Sequence, residues 1–276
     1  MPVALILSSF VAASRIGGAA QQYVLAAHRI DPVLAPTVMF GRSPATGAAG
    51  EVTSPAVLRR MLADIEADAM FGMLDLVITG HFSSAAQVEI AANLLERVRL
   101  GAERRPMLIV DPIMGDAPKG LYVKPEVAEA VADRLVPLAD WITPNLWELG
   151  RLAGTEVVGA EDAVAVTRGL GRPALITSVP ARDGEIGILL VDAAQAVLIA
   201  HPRLDQAPNG TGDLVTACFG AALLAGEAPA AAAERAARAA AEAVAASRAR
   251  RSADLPLVAI ADRLVNPTAA VRVERL

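Results

Sequence analysis

The stretch Pro208-Asn209-Gly210-Thr211-Gly212-Asp213 and the apolar run 214–224 that follows it predict a glycine turn that opens into a helix. Glycine allows a tight turn and a close approach of backbone N–H groups to a ligand, where a Cβ would collide. At a helix N-terminus, those N–H groups and the helix dipole favour an anion. Asp213 adds a carboxylate beside that position, which suits a base that takes a proton from an attacking hydroxyl. A motif this short is more often an ordinary N-cap after a turn, so the rest of the chain has to decide.

Two further groups of acidic and amide side chains accompany the glycine turn. Asp111 and Asp116 bracket a Pro-Ile-Met-Gly loop, and Asn145 and Glu148 lie three residues apart at the start of a predicted helix. Residues at this spacing share one face of a helix. Magnesium is bound by one or two carboxylates together with substrate phosphates, so acids around a phosphate-binding turn favour a phosphotransferase. Taken singly, each of these residues is more often a cap or turn residue.

The pattern of strands and helices predicts an α/β fold. Predicted strands cover 3–7, 33–40, 74–79, 106–110, 141–142 and 174–177, and 186–191 with 196–199 form a hairpin. Predicted helices cover 17–28, 54–69, 85–100, 124–136 and 161–170, with a partly exposed surface helix at 229–251. Such alternation indicates a three-layer α/β/α sandwich with a mainly parallel central sheet.

A set of mostly polar residues directly follows the predicted strands, at the positions where ligands bind in open parallel sheets. They are Ser9, Gly80-His81, Asp111, Thr143 and Ser178. We therefore expect them to converge on one edge of the sheet.

Composition restricts the class of protein. The 276 residues carry a net charge of −5, which argues against nucleic-acid binding. Cys218 is the only cysteine, so no intramolecular disulfide forms. No apolar stretch is long enough for a membrane span, and the N-terminus lacks the basic flank of a signal peptide. These features predict a soluble, cytoplasmic protein without nucleic-acid or membrane partners.

The combined motifs resemble those of the ribokinase-like superfamily, and specifically the pyridoxal kinase family. The resemblance runs nearly end to end. The matching segments are Asp111-Pro-Ile-Met-Gly-Asp116, Thr143-Pro-Asn145-x-x-Glu148, Thr177-Ser178, Gly210-Thr-Gly-Asp213, Pro36-Thr37-Val38-x-Phe40, Gly120-x-Tyr122-Val123-x-Pro125-Glu126 and Leu255-Pro-Leu-Val258. The first and fourth segments also occur in hydroxymethylpyrimidine kinases, so they specify the superfamily better than the substrate.

The resemblance implies a single kinase domain over 1–276, with a substrate flap at 41–50, that pairs as a homodimer. It would transfer the γ-phosphate of ATP to the 5′-hydroxymethyl group of a B6 vitamer, with Mg²⁺ and either K⁺ or Na⁺. Asp213 would be the base, and Asp116 and Glu148 would order magnesium and its waters. The implied anion hole comprises the N–H groups of Gly210, Thr211, Gly212 and Asp213. The implied ATP and monovalent-cation residues are Asp111, Thr143, Asn145, Thr177 and Ser178, and the implied substrate residues are Ser9, Thr37, Phe40 and His81.

Departures from the family pattern are concentrated on the acceptor side. The segment 11–18 reads Val-Ala-Ala-Ser-Arg-Ile-Gly-Gly instead of Val-x-x-Gly-x-x-Gly-Asn, and 40–46 reads Phe-Gly-Arg-Ser-Pro-Ala-Thr instead of Phe-Ser-Asn-His-Thr-Gly-Tyr. Gly80-His81 replaces Gly-Tyr. Two alternatives therefore stay open: a related kinase for another hydroxymethyl compound, such as hydroxymethylpyrimidine, and a non-catalytic protein that binds pyridoxal phosphate or a nucleotide.

Overall fold

Strands and helices alternate through most of the chain in the computed structural model, which describes residues 1–68, 70–101, 105–204 and 207–276. The strands are β1 Val3–Val11, β2 Asp31–Phe40, β3 Gly50–Val52, β4 Leu74–Thr79, β5 Met107–Val110, β6 Gly115–Asp116, β7 Gly120–Leu121, β8 Trp141–Ile142, β9 Ala174–Pro180, β10 Glu185–Val191, β11 Ala196–Pro202 and β12 Arg272–Arg275. The helices are α1 Gly18–Ala27, α2 Pro55–Ala67, α3 Ala85–Gly101, α4 Pro125–Ala130, α5 Leu146–Ala153, α6 Ala160–Leu170, α7 Thr211–Leu224, α8 Pro229–Arg250 and α9 Ala261–Val265. Ala69, the predicted end of the second helix, lies outside the described residues.

Within the described residues, one ten-stranded sheet has the order β12-β11-β10-β9-β8-β5-β4-β1-β2-β3. The central run from β2 to β9 is parallel, as predicted. The β10–β11 hairpin is antiparallel, which confirms the prediction, and β12 and β3 add antiparallel strands at the two edges. The short β6–β7 hairpin stands apart from this sheet.

Side chains on successive residues of β1 point into two separate cores. Val3, Leu5 and Leu7 pack into one hydrophobic cluster, whereas Ala4 and Ile6 pack into the other. This period of two is the pattern of a strand that is buried on both faces. Helices α2 to α6 contribute to the first cluster, and α1, α7, α8 and α9 to the second. The predicted three-layer sandwich is therefore confirmed.

Two strands extend further than predicted, which changes the setting of two candidate residues. β1 continues beyond Ser9 because Phe10 and Val11 still pair with β2. β9 continues beyond Ser178 through an irregularity in its pairing with β10, where Ser178 adopts a φ of +60°. Ser9 and Ser178 therefore lie inside strands rather than just past their ends. An extra residue in one strand of an antiparallel pair, as in β9 opposite β10, locally changes the direction in which side chains point.

Helix α8 is more deeply buried than a surface helix. One of its faces is a run of alanines that is packed into the second core cluster beside α7. Alanine loses almost no side-chain entropy on burial and lets neighbouring backbones come close, so a face this weakly hydrophobic can still be core. The prediction of a partly exposed helix underestimated this burial. Within the described residues, no helix has both the length and the apolar character needed to span a bilayer.

Candidate active site

The glycine turn and the start of α7 form the centre of the site. Gly210 has a φ of +90°, and a Cβ there would lie 2.2 Å from the carbonyl oxygen of Arg15, so only glycine fits. A Cβ at Gly212 would meet nothing within 4 Å, so the protein itself does not require glycine at this second position. Thr211 anchors the turn by donating its hydroxyl to the carbonyl of Pro208 at 2.8 Å. The first N–H groups of a helix have no intrahelical acceptor, so this end of α7 offers donors for an anion.

Asp213 is a buried carboxylate in the first turn of α7. Its side chain is 7% exposed, and Gly17 donates its N–H to Oδ2 at 2.8 Å. The other oxygen, Oδ1, is buried and has no hydrogen-bond partner among the described residues. Burial raises the pKa of Asp213 to about 6, and the Gly17 hydrogen bond opposes that rise. The carboxylate can therefore be ionised at neutral pH and accept a proton at Oδ1.

A chain of side chains joins the end of β5, the end of β8 and α7. Thr216 donates its hydroxyl to Asp111 Oδ2 at 2.9 Å, and its Oγ1 lies 2.9 Å from Thr143 Oγ1. Burial raises the pKa of Asp111 well above its usual range, and the charges of Asp213 and Glu148 act in the same direction. Sequence reasoning missed Thr216, although its position three residues after Asp213 places it on the same face of α7.

Glu148 and Asn145 form a capping box at the start of α5. Asn145 accepts from the Glu148 N–H at 2.9 Å, and Glu148 Oε2 accepts from the Asn145 N–H at 2.9 Å. Glu148 Oε1 also accepts the N–H groups of Met114 and Gly115, so this carboxylate ties α5 to the loop that carries Asp116. Burial raises the pKa of Glu148 to about 7 despite these backbone donors. Most of the acceptor capacity of Glu148 is thus already used within the protein.

Asp116 is the more available of the two predicted metal residues. Its Oδ2 lies 3.6 Å from Lys119 Nζ, and its carboxylate also interacts with the Tyr122 hydroxyl, whose pKa is raised by burial and by Asp116. Its Oδ1 is buried and has no hydrogen-bond partner among the described residues. Those same residues contain no group of three or more His, Cys, Asp or Glu side chains arranged to hold a metal. An unpaired carboxylate oxygen without a full cage fits Mg²⁺, which takes one or two protein carboxylates and completes its coordination with phosphates and water.

The residues that the resemblance implies for substrate binding lie where β1, β2 and the loop after β4 come together. Ser9 Oγ lies so close to Gly17 that a Cβ there would be 2.2 Å away, which places Ser9 beside the donor to Asp213. Thr37 is fully buried and donates its hydroxyl to the carbonyl of His81 at 2.6 Å. His81 Nε2 lies 3.3 Å from Ser83 Oγ. Burial lowers the pKa of His81 to about 4, so the ring is neutral at pH 7.

The remaining predicted residues lie at the margins of this cluster. The ring of Phe40 packs against Gly50, where a Cβ would lie 2.5 Å from it, and Arg42 follows in an exposed segment. Thr177 donates its N–H to the carbonyl of Pro144 at 2.9 Å, which links β9 to the loop after β8. Ser178 is exposed at its positive φ. The structure therefore links Asp111 to Thr143 and Thr216 through side chains, and Thr177 to the loop after β8 through its backbone.

Comparisons with known proteins show the family and the fold. A family model described as phosphomethylpyrimidine kinase matches residues 24–257. The chain is 35% identical over 257 residues to a pyridoxine/pyridoxal/pyridoxamine kinase of Bordetella avium, covering 90% of this chain and 86% of the relative. It is 32% identical to a pyridoxal kinase of Leifsonia xyli, covering 78% of each chain. A solved pyridoxal kinase from Leishmania donovani in complex with ADP and pyridoxine shares its fold with a TM-score of 0.92 at 22% identity, covering 99% of each chain.

Proposed function

Because the chain belongs to the pyridoxal kinase family, we propose that it transfers the γ-phosphate of ATP to the 5′-hydroxymethyl group of pyridoxal and related B6 vitamers. The observation that carries this proposal is the Asp213 carboxylate, buried at the N-terminus of a helix with one oxygen unpaired. A protein that only bound phosphate would gain nothing from an acid at this position, because like charges repel.

The proposed reaction uses Asp213 Oδ1 as the general base. With a pKa of about 6, the carboxyl group is ionised at neutral pH and accepts the proton of the acceptor hydroxyl as the oxygen attacks the γ-phosphorus. The bond between the γ-phosphorus and the β,γ-bridging oxygen then breaks, and ADP leaves. The proposed anion hole for the phosphoryl oxygens is formed by the N–H groups of Gly210, Thr211, Gly212 and Asp213, and the dipole of α7 adds to it.

Ions complete the proposed site. We assign Mg²⁺ to Asp116 and, through water, to Glu148, because Asp116 has a buried unpaired oxygen and Glu148 holds its loop in place. Magnesium neutralises charge on the phosphates when it is bound. Asp111 and Thr143 are assigned to the region of the triphosphate and of a K⁺ or Na⁺ ion, because both present oxygens between Asp213 and α5.

Binding of the two substrates is assigned to opposite sides of Asp213. Ser9, Phe40 and His81 line the acceptor side, and Thr37 holds the backbone of His81 rather than facing the acceptor with its hydroxyl. Asn145, Thr177 and Ser178 belong to the ATP side, where Asn145 acts through its hydrogen bond to the carbonyl of Gly115. We further propose one kinase domain with a flap at 41–50, a homodimeric assembly and a cytoplasmic location, as in the family resemblance.

The test is an ADP-release assay with magnesium-ATP and a panel of pyridoxal, pyridoxine, pyridoxamine and hydroxymethylpyrimidine. We expect turnover with the B6 vitamers, and a fall in kcat of about 10²–10⁴-fold in Asp213→Asn, because a general base contributes that much. Asp192→Asn is the matched control: Asp192 caps the β10–β11 turn through an oxygen that asparagine retains, so its kcat should not change.

The same panel decides between this proposal and a second candidate. The name of the matching family model and the altered acceptor loops favour hydroxymethylpyrimidine as the alternative substrate. If hydroxymethylpyrimidine is the only compound that is turned over, the protein would be assigned as a hydroxymethylpyrimidine kinase instead. Binding of ATP or pyridoxal phosphate without turnover of any acceptor would contradict a B6 kinase and support a binding protein.

A further inference from the structure

The side chain of Thr216 links two parts of the site that are distant in sequence. It is 1% exposed, lies one helical turn after Asp213, and contacts both Asp111 after β5 and Thr143 after β8. No other side-chain hydrogen bond joins α7 to these two strand ends among those found for the described residues. Within the described residues, Thr216 is therefore the side-chain link between α7 and these two strand ends.

When Asp111 is ionised, the number of protons fixes the direction of this chain of hydrogen bonds. A hydroxyl has one proton to donate, and that of Thr216 goes to Asp111 Oδ2. At the 2.9 Å contact with Thr143, the proton must then come from Thr143. Thr143 donates to Thr216, and Thr216 donates to Asp111. The lone pairs of Thr143 are thereby left to accept from, or bind to, positively charged groups, whereas Asp111 also accepts a hydrogen bond from the backbone of Ile113.

Asp111 needs such a donor more than an ordinary carboxylate does. It is buried, and the charges of two acids, Asp213 and Glu148, act on it. A buried carboxylate without a partner is costly, and a low dielectric strengthens both that cost and the effect of a well-placed hydrogen bond. Removal of the Thr216 hydroxyl would leave Asp111 with the Ile113 backbone as its hydrogen-bond donor and Thr143 without its acceptor, so both side chains would be held less firmly.

We propose that Thr216 is a positioning residue whose hydroxyl holds Asp111 and Thr143 in the orientation that binds and activates magnesium-ATP. The proposal rests on the kinase function proposed above. Thr216 itself need not touch the substrate, because its effect passes through two side chains that face the triphosphate region.

The test compares three variants for binding of magnesium-ATP by calorimetry, without acceptor, and for steady-state turnover. Thr216→Val keeps the shape and removes the hydroxyl, whereas Thr216→Ser keeps the hydroxyl. Thr167→Val is the matched control, since Thr167 is 2% exposed in α6 and its hydroxyl has no partner among the described residues. For Thr216→Val we expect about 10-fold weaker magnesium-ATP binding and about 10-fold lower kcat, the usual cost of losing a partner behind a metal-site ligand. The KM for the acceptor should not change.

The serine variant distinguishes the effect of the hydroxyl group from the effect of side-chain packing. Thr216→Ser should recover most of the binding and turnover, and Thr167→Val should match the wild type in both. The proposal is overturned if Thr216→Val binds and turns over like the wild type, or if Thr216→Ser is as impaired as Thr216→Val.

The binding measurement also separates this proposal from the proposed function. A wild-type protein that binds magnesium-ATP but turns over no acceptor would contradict the kinase assignment, while the binding comparison would still support or overturn the role of Thr216. A wild-type protein that does not bind magnesium-ATP would overturn both.

Discussion

At the scale of the single residue, two opposing effects set the pKa of Asp213. Burial raises its pKa to about 6, and the Gly17 N–H lowers it. Because a base must be ionised, activity should fall as the pH drops through the pKa of Asp213. We expect kcat/KM for the acceptor to be level above about pH 7 and to fall about tenfold per pH unit below about pH 6. The measurement is a pH profile of kcat/KM between pH 5 and 8.5.

Two neighbouring groups serve as controls for that profile. His81 has a pKa of about 4 and stays neutral across the range, so His81→Gln should keep the acidic limb in place. Glu148 has a pKa of about 7 and titrates close by. A limb near pH 7 that disappears in Glu148→Gln would assign the profile to Glu148, and a profile that stays level down to pH 5 would contradict the raised pKa of Asp213.

At the scale of structural elements, the loop between β1 and α1 is fastened at three points. Ser14 donates its hydroxyl to the Asp254 carboxylate, and the Arg15 carbonyl packs against Gly210. The Gly17 N–H donates to the Asp213 carboxylate. Ser14 replaces the glycine of the family pattern, and the structure shows what its side chain does. We expect Ser14→Ala to loosen the loop and lower kcat/KM by about tenfold, because a hydrogen bond to a charged group contributes about 1.5 kcal/mol or more.

A second serine distinguishes loss of loop position from loss of stability. Ser54 caps α2 by accepting the N–H of Val57, away from the site. Ser54→Ala should lower the free energy of unfolding by about 1 kcal/mol and leave kcat/KM unchanged. Steady-state kinetics and urea denaturation on both variants make the comparison. Unchanged kcat/KM in Ser14→Ala would show that the loop does not need this hydrogen bond.

The elements also show what the sequence could predict. The strand at 74–79 was predicted to the residue, because an apolar run with clear boundaries is a local signal. β3 and β12 were missed: β3 has three residues, and β12 is mostly charged, with Arg272 paired to Glu185 across the sheet edge. Short or charged edge strands form through their partners rather than through their own pattern.

The site shows the same division between local and distant information. The glycine turn and the capping box could be recognised because each lies within a few residues of sequence. The contact of Gly17 with Asp213 and that of Thr216 with Asp111 join residues 196 and 105 positions apart. No local pattern encodes such pairs, so the environment of the base could be described only from the fold.

At the scale of the whole molecule, the ligand-free site costs stability. Asp111, Glu148 and Asp213 are buried close enough for their charges to interact, and each has a raised pKa. A carboxyl group with a higher pKa in the folded state binds more protons there than in the unfolded chain. Its contribution to stability is therefore present at low pH and is lost as the pH rises through the folded pKa.

Replacing Asp213 with asparagine should therefore stabilise the protein while it lowers kcat. The pKa of Asp213 is about 6 in the fold against 3.8 in the unfolded chain. At pH 7.5, Asp213→Asn should raise the free energy of unfolding by about 2–3 kcal/mol over the wild type, and the difference should shrink towards zero as the pH falls from 6 to below 4. The lowered pKa of His81 makes both proteins less stable in acid, so its effect cancels when the free energy of unfolding of the wild type is subtracted from that of the variant. Urea denaturation of both ligand-free proteins between pH 4 and 7.5 makes the measurement. Equal stability at pH 7.5 would mean that burial does not raise the pKa of Asp213. Magnesium-ATP should stabilise the wild type, because the bound cations reduce the repulsion among the buried carboxylates of Asp111, Glu148 and Asp213.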